Sequence, residues 1–190
     1  KHSRFNEEII EKLEVQLEGN SSDLIANYLL SHQDYLVAKD NIVKELQLPV
    51  NEVEADIAQL LEEGLIYQTK IGYIHKKKYE EVLEKLKKLL IDYHKRYKLK
   101  VGIPKIEVIS KFKLSQKEVL EMIDLFIKNN EVRLEGNLVA EKDFVVNYDK
   151  KQLAEKARIE RELLQGGFTP PTIKDLTNGV KASVELLDSL

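Results

Sequence analysis

The sequence predicts a mainly α-helical fold with small β-hairpins (α+β), and a helix followed by a hairpin is the pattern that predicts it. Four apolar residues have the spacing of one helix face: Val53, Ile57, Leu60 and Leu61. Gly64, which tolerates a positive φ, is suited to end this helix. Residues 65–69 and 72–75 have the composition of two short strands, with a turn near Lys70. A helix followed by a small hairpin is typical of a winged-helix module.

The same pattern returns 66 residues later in the chain. The four apolar positions recur as Val119, Ile123, Phe126 and Ile127. Asn130 stands where Gly64 stood, and residues 132–134 and 138–140 flank a second turn at Gly136. Because the helix and its hairpin occur twice, the sequence predicts tandem winged-helix modules.

The remaining elements complete these modules. Before the second copy, apolar spacing predicts helices over residues 7–18, 23–31, 40–46 and 76–95. Ser22 is the expected cap of the second of these helices, and residues 33–37 are expected to be extended. Ser115 and Glu118 form an S-x-x-E capping box that opens the repeated helix. Further helices are predicted from Pro104 to about residue 112, over 149–165 and over 180–190.

Four segments follow from this organisation. We expect a leading helix over 1–19, winged helices over 20–76 and 77–147, and the start of a third, incomplete winged helix over 148–190. Modules of this size are individually marginal in stability, so we expect them to be stabilised by packing against neighbouring modules or shared helices. The chain begins without Met and stops inside a predicted helix, which suggests a fragment of a longer protein.

Composition excludes several classes of protein. The chain has no Cys, which excludes disulfides and thiolate metal sites and is compatible with the cytoplasm. It has no apolar run of the ~20 residues that span a bilayer and no signal-peptide pattern, so no membrane partner is expected.

No enzyme is predicted in this segment. None of the eight Gly belongs to a phosphate-binding loop. The four His are far apart in the sequence and form no zinc motif. We expect His75 and His94 to have ordinary structural or surface roles. No catalytic, cofactor-binding or metal-binding residue is therefore predicted.

The charge distribution is more informative than the net charge of −3. Residues 1–75 hold 6 Lys/Arg against 14 Asp/Glu, whereas residues 76–113 hold 13 against 5. The first repeated helix lacks Lys and Arg and is expected to expose Glu52, Glu54 and Asp56. Such a helix would be repelled by phosphates, so it is a poor reader of DNA.

The basic stretch supplies the candidate RNA-backbone contacts Lys95, Arg96, Lys98 and Lys100, which we expect on a loop. Tyr79, Tyr93 and Tyr97 are interleaved with its lysines. The alternative is a solvated helix face whose lysines pair with nearby Glu, and charge runs are usually of that kind. Arg158 and Arg161 are weaker candidates because Glu surrounds them.

Two segments resemble a known family. LIDYHKRYKL at residues 90–99, followed by GIPK at 102–105, resembles a helix-to-loop segment of the bacterial selenocysteine-specific elongation factors, SelB. GFTPPTIKDL at residues 167–176 resembles the segment that leads into that family's next winged helix. Both segments belong to a C-terminal extension of four tandem winged helices, and the similarity runs over roughly residues 15–190.

The resemblance implies the C-terminal arm of a translation elongation factor that decodes UGA. It implies that full-length members bind GTP and Mg²⁺, selenocysteinyl-tRNA and the ribosome through domains that precede this segment. It also implies a selenoprotein mRNA hairpin as partner, held chiefly by the last winged helix. This segment, expected to be a cytoplasmic monomer, would link the GTPase body to the RNA-binding tip, with hinges at residues 98–102 and 165–169.

Two other functions stay open at this point. One is a DNA-binding winged-helix transcriptional regulator, which the acidic first helix disfavours. The other is a protein-interaction scaffold, which would carry a contiguous exposed apolar patch.

Overall fold

The computed structural model describes residues 20–165 and 172–177. The helices predicted over 7–18 and 180–190 lie outside these residues. The described helices are α1 (Ser21–Ser31), α2 (Lys39–Leu46), α3 (Val50–Glu62), α4 (Lys76–Arg96), α5 (Lys105–Lys111), α6 (Gln116–Lys128), α7 (Lys150–Gln165) and α8 (Ile173–Thr177). The described strands are β1 (Ile66–Gln68), β2 (Tyr73–His75), β3 (Ile103–Pro104), β4 (Val132–Glu135) and β5 (Leu138–Glu141).

The described residues divide into two compact units. The first unit comprises residues 20–84 and 114–125, and the second comprises 85–113, 126–165 and 172–177. The module boundaries predicted at 20–76 and 77–147 follow the sequence repeat and stay predictions.

The first unit is built on helices α1 to α3 and a hairpin. Strands β1 and β2 are antiparallel, with Tyr67 opposite Ile74, and Val37 forms a bridge to Tyr73 on the other side of β2. The apolar side chains of these elements form one core: Ile25, Leu29, Val37, Ile42, Val53, Ile57, Leu60 and Ile66. Three helices with a hairpin and one bridging residue are the parts of a winged helix, as predicted.

The second unit holds a three-stranded antiparallel sheet in the order β3-β5-β4. Ile103 pairs with Val139, and Leu134 pairs with Val139 on the opposite side. The sequence predicted the hairpin but indicated no strand before the helix that it predicted from Pro104. Two residues are too few to show the alternating pattern of a strand, so β3 had no sequence signal.

The two repeated helices end in the same way. Gly64 has a φ of +67° and Asn130 a φ of +59°. In each case the next residue donates a backbone hydrogen bond to a carbonyl five residues earlier, from Leu65 to Leu60 and from Glu131 to Phe126. This is the left-handed helix end that favours Gly first and Asn second. The 66-residue sequence repeat is therefore accompanied by the same backbone conformation at both helix ends.

Two other glycines allow strands to approach closely. A Cβ added to Gly72 would lie under 3.0 Å from the carbonyl oxygen of Val37, and one added to Gly102 equally close to that of Val139. Gly72 lies beside the bridge between Val37 and Tyr73, and Gly102 lies beside the pairing of β3 with β5. The absence of a side chain is therefore needed at both positions.

The predicted capping box at the start of α6 is present. Glu118 Oε2 accepts hydrogen bonds from the Ser115 backbone N–H at 3.0 Å and from its hydroxyl at 2.7 Å. Glu118 Oε1 accepts a third from the Tyr35 backbone N–H at 3.3 Å. Burial raises the pKa of Glu118, but hydrogen bonds from Ser115, Tyr35 and Leu36 outweigh it and hold the pKa below its usual value.

We expect Glu118→Gln to lower the free energy of unfolding by about 1 kcal/mol at pH 7. Because the folded pKa of Glu118 is depressed, its contribution is present above the unfolded pKa of about 4.3 and lost as the pH falls through the folded value. Urea unfolding from pH 7 to pH 3 should show the variant and the wild type converging in acid. The exposed Glu62→Gln is the control; a gap independent of pH would contradict this account.

Three local predictions were wrong. Ser22 does not cap the first described helix, because α1 begins at Ser21 and Ser22 is buried. Of residues 33–37, only Val37 pairs as a strand residue. Asp56 is buried rather than exposed on α3, because it lies next to the apolar stripe formed by Val53, Ile57 and Leu60.

Candidate nucleic-acid interface

The four predicted contact residues lie at the end of α4 and in the turn that follows it. Lys95 and Arg96 belong to the last turn of the helix, which ends at Arg96, so these two are not on a loop as expected. Lys98 and Lys100 lie in the turn before β3. All four side chains are exposed, and together they form what we call the basic joint.

Backbone contacts fix the shape of the basic joint. The Tyr97 N–H donates to the Tyr93 carbonyl at 2.8 Å, and the Lys100 N–H donates to the Tyr97 carbonyl at 3.1 Å. Leu99 packs against a small core formed by Ile159 and Leu176. Together with the tight approach at Gly102, these contacts disfavour residues 98–102 as a hinge. The other proposed hinge, 165–169, lies mostly outside the described residues.

His94, next to Lys95 in the sequence, is buried and ties the end of α4 to neighbouring residues. It is 6% exposed, and its ring stacks on Phe144 with centroids 3.5 Å apart. Its Nδ1 lies 2.9 Å from Glu141 Oε1 and its Nε2 lies 3.3 Å from the Val101 carbonyl oxygen. His94 therefore has the structural role that was predicted.

His75 caps the other end of α4. Its Nδ1 accepts a hydrogen bond from the Lys77 backbone N–H at 3.1 Å, which satisfies one free donor of the first helical turn. Burial lowers the pKa of His75, and the charges of Lys77 and Lys78 lower it further. The neutral imidazole is the form that accepts this bond, so His75 too is structural.

The structure divides the lysines of the basic stretch into two groups. Lys78 is 7% exposed, and its Nζ donates to the carbonyl oxygens of His32 at 2.6 Å and Asp34 at 3.0 Å. Lys87 pairs with Glu131 at 2.7 Å, rather than with the nearby Glu of its own helix. In contrast, no ion pair joins the basic joint to a carboxylate within the part of the chain that the structure describes.

The interleaved tyrosines also differ. Tyr79 is 3% exposed and stacks on Tyr67, with centroids 4.3 Å apart, so it belongs to a core. Tyr93 is half-buried, and burial raises its pKa, with smaller effects of Glu107 and Tyr97. Tyr97 is 48% exposed and stands among the four cations of the basic joint.

Neither repeated helix offers a continuous basic face. Helix α3 carries no Lys or Arg, and Glu54 on it pairs with Lys39. On α6, Met122 and Leu125 are buried in addition to Val119, Ile123 and Phe126. Within the first unit, Glu121 of α6 accepts a hydrogen bond from the Lys70 backbone N–H at 3.0 Å. This burial and hydrogen bonding disfavour α6 as a helix that enters a groove of a duplex.

Arg158 has a structural role as well. It pairs with Glu155 at 2.7 Å and Glu162 at 2.6 Å and donates to the Leu176 carbonyl, which ties α7 to α8. Hydrogen bonds from its guanidinium to both carboxylates raise its pKa. Arg161 is exposed on the same helix.

Residues 20–165 and 172–177 hold neither a metal-binding cluster nor a membrane-spanning helix. No cluster of three or more His, Asp or Glu side chains there is arranged to hold a metal ion. None of the helices in these ranges is long and apolar enough to cross a membrane.

Comparison with known proteins agrees with the winged-helix fold. Residues 87–140, which include the whole basic joint, match the family model described as elongation factor SelB, winged helix, for the second such domain. A solved structure of the mRNA-binding domain of elongation factor SelB from E. coli, in complex with SECIS RNA, is similar at 13% identity and a TM-score of 0.52. The likeness covers 66% of this chain and 99% of that one and shows the shared fold. No curated protein matched this chain.

The fold therefore defines a protein of tandem winged-helix modules. Within this fold, residues 87–140 are more particularly similar to the second winged-helix domain of elongation factor SelB.

Proposed function

We propose that this chain is an RNA-binding segment of the SelB arm and that the basic joint contacts the RNA backbone. The observation that carries the proposal is the position of Lys95, Arg96, Lys98 and Lys100. They lie inside the region that matches the SelB winged-helix model, and they are exposed without described ion-pair partners. Exposed cations of this kind supply the salt-dependent part of nucleic-acid affinity.

The wider role follows from the family. The chain links a GTPase and tRNA-binding body to an mRNA-hairpin-binding tip during decoding of UGA in the cytoplasm, and it acts as a monomer. GTP, Mg²⁺, selenocysteinyl-tRNA and the ribosome are partners of the full-length protein through domains outside this segment. The structural neighbour that binds SECIS RNA supports a selenoprotein mRNA hairpin as the partner of the arm.

A DNA-reading function is the less favoured alternative. It would require α3 or α6 to enter the major groove, as recognition helices do. The acidic surface of α3 and the buried and bonded surface of α6 both disfavour it. A spacer function without RNA contact is the other alternative, and the following experiment separates it from the proposal.

We expect this chain to bind a labelled selenocysteine-insertion hairpin weakly and with a steep dependence on salt. Changing Lys95, Arg96, Lys98 and Lys100 together to Ala should weaken binding about tenfold at low salt, because four phosphate contacts are lost. Fluorescence anisotropy at low and near-physiological salt measures both quantities. A scrambled hairpin of equal length tests whether the contact depends on sequence.

The matched control changes four other exposed lysines, Lys44, Lys117, Lys128 and Lys142, to Ala. The net charge then falls by the same amount, but the basic joint is intact. Equal losses in the two variants would mean that net charge alone attracts the RNA. Absence of binding by the wild type would leave the spacer function.

A further inference from the structure

Tyr97 differs from every other tyrosine of the chain. The chain has eight tyrosines, all within the described residues, and only Tyr97 is exposed. Its ring lies 4.7 Å from that of Tyr93, centroid to centroid, at an interplanar angle of 48°. Lys100 Nζ lies over the ring, 5.8 Å from its centroid. One side of the ring is thus supported by a second aromatic ring, and Lys100, which has a flexible, exposed side chain, lies near it.

The backbone that carries the ring is fixed, and the ring itself contacts Tyr93. Two hydrogen bonds fix the backbone of Tyr97. Its N–H donates to the Tyr93 carbonyl at 2.8 Å, and its carbonyl accepts from the Lys100 N–H at 3.1 Å. Leu99, two residues after Tyr97, packs against Ile159 and Leu176. An exposed aromatic side chain that is already ordered loses little conformational entropy when a ligand stacks on it.

The cations on both sides of this ring could contact the phosphates of a nucleic acid whose base stacks on the ring. Lys95 and Arg96 precede Tyr97 by two residues and one residue, and Lys98 and Lys100 follow it. Aromatic faces within a basic groove are the general means of binding single-stranded nucleic acid, because every base has a face that can stack. Bases inside an A-form duplex are already stacked on one another and are not accessible to such a ring.

We propose that Tyr97 is a stacking platform for an unpaired RNA base, while the surrounding cations hold the phosphates on either side of it. The ligand is therefore single-stranded RNA, such as a loop, a bulge or a flanking strand, rather than a helical stem. This inference rests on the proposed function, because it assigns a ligand class to the same basic joint. Lys100 would move off the ring to let the base approach and would then lie near the adjacent phosphate.

The test compares RNA ligands and two variants of the whole chain. The ligands are an unstructured RNA of about eight nucleotides, a size suited to a single stacking groove, and a fully paired hairpin stem of similar charge. The short RNA carries one 2-aminopurine, whose fluorescence is quenched when it stacks. The chain has no Trp, so this signal is observed without interference from tryptophan emission. Tyr97→Leu removes the aromatic face but keeps an apolar side chain, and Tyr97→Phe keeps the face and removes the hydroxyl.

We expect the wild type to prefer the unstructured RNA and to quench 2-aminopurine. Tyr97→Leu should bind it about tenfold more weakly and lose the quenching, with the slope of log affinity against log salt unchanged, because stacking releases no counterions. Tyr97→Phe should behave as the wild type. The variant with all four cations changed to Ala should lower the slope by up to about 3 instead.

The outcomes separate this inference from the proposed function. If neither RNA binds the wild type, the basic joint is not an RNA contact and both are wrong. If both RNAs bind equally and Tyr97→Leu changes neither affinity nor fluorescence, the joint contacts the backbone alone and only the stacking platform is wrong. Circular dichroism of Tyr97→Leu confirms that a loss of binding is not a loss of fold.

Discussion

Gly102→Ala and Gly72→Ala should each lower the free energy of unfolding by about 3 kcal/mol, at the upper end of what overpacking costs. The added Cβ would lie under 3.0 Å from a backbone carbonyl oxygen, of Val139 for Gly102 and of Val37 for Gly72. A backbone carbonyl within paired strands cannot rotate away as the end of a long side chain can. The strands must therefore separate, and their pairing is weakened. Urea unfolding followed by circular dichroism measures the effect.

Gly136→Asn and Gly64→Asn are the matched controls. Both glycines have a positive φ, +59° and +67°, and a Cβ at either would meet nothing within 4 Å. Asn tolerates this conformation, and Asn130 already occupies the position equivalent to Gly64. We expect changes within about 0.5 kcal/mol for these two. Equal stability of Gly102→Ala and the wild type would show that β3 and β5 are not as close as the structure has them.

Lys78→Met should lower the free energy of unfolding by about 2 kcal/mol and leave RNA affinity unchanged. Methionine fills the space of the lysine stem but cannot donate to the carbonyl oxygens of His32 and Asp34. Burial lowers the pKa of Lys78, although Asp34 and other nearby carboxylates oppose this effect. A lysine so enclosed is unable to reach a phosphate. Unfolding in urea and anisotropy with the hairpin RNA give the two readouts.

Lys77→Met is the control for this pair of measurements. Lys77 is the preceding residue and is exposed, so its replacement removes the same charge without removing a buried donor. The variant of the basic joint should show the reverse pattern, with weakened RNA binding and unchanged stability. Indistinguishable unfolding of Lys78→Met and Lys77→Met would contradict the structural role assigned to Lys78.

The parts of the fold that the sequence predicted are those with local causes. The two repeated helices, their left-handed ends at Gly64 and Asn130, and the box of Ser115 and Glu118 all depend on residues within one or two turns of each other. The hairpins depend on short apolar runs around turn residues. Local propensity and side-chain spacing are enough to specify such features.

What the sequence could not predict depends on contacts between distant residues. Lys78 belongs to the same charge run as Lys98, yet only the positions of the His32 and Asp34 carbonyls show that it is internal. The bond from Tyr35 to Glu118 joins residues 83 apart in the chain. For the candidate site, the structure shows the four cations exposed, and their contact with RNA stays a prediction. The importance of the Tyr97 ring depends on its neighbours, which only the structure shows.

The direct passage from β2 into α4 determines where this chain can change in length. The strand ends at His75 and the helix begins at Lys76, so no residue separates them. One inserted residue at this point would turn the helix by about 100° and advance it by about 1.5 Å, which would carry the buried Tyr79, Val82 and Leu83 out of the core. Insertions at the tips of the two hairpins would change neither the rotation nor the position of this helix. Among related chains, we therefore expect length variation in the hairpin turns and a constant spacing across this junction.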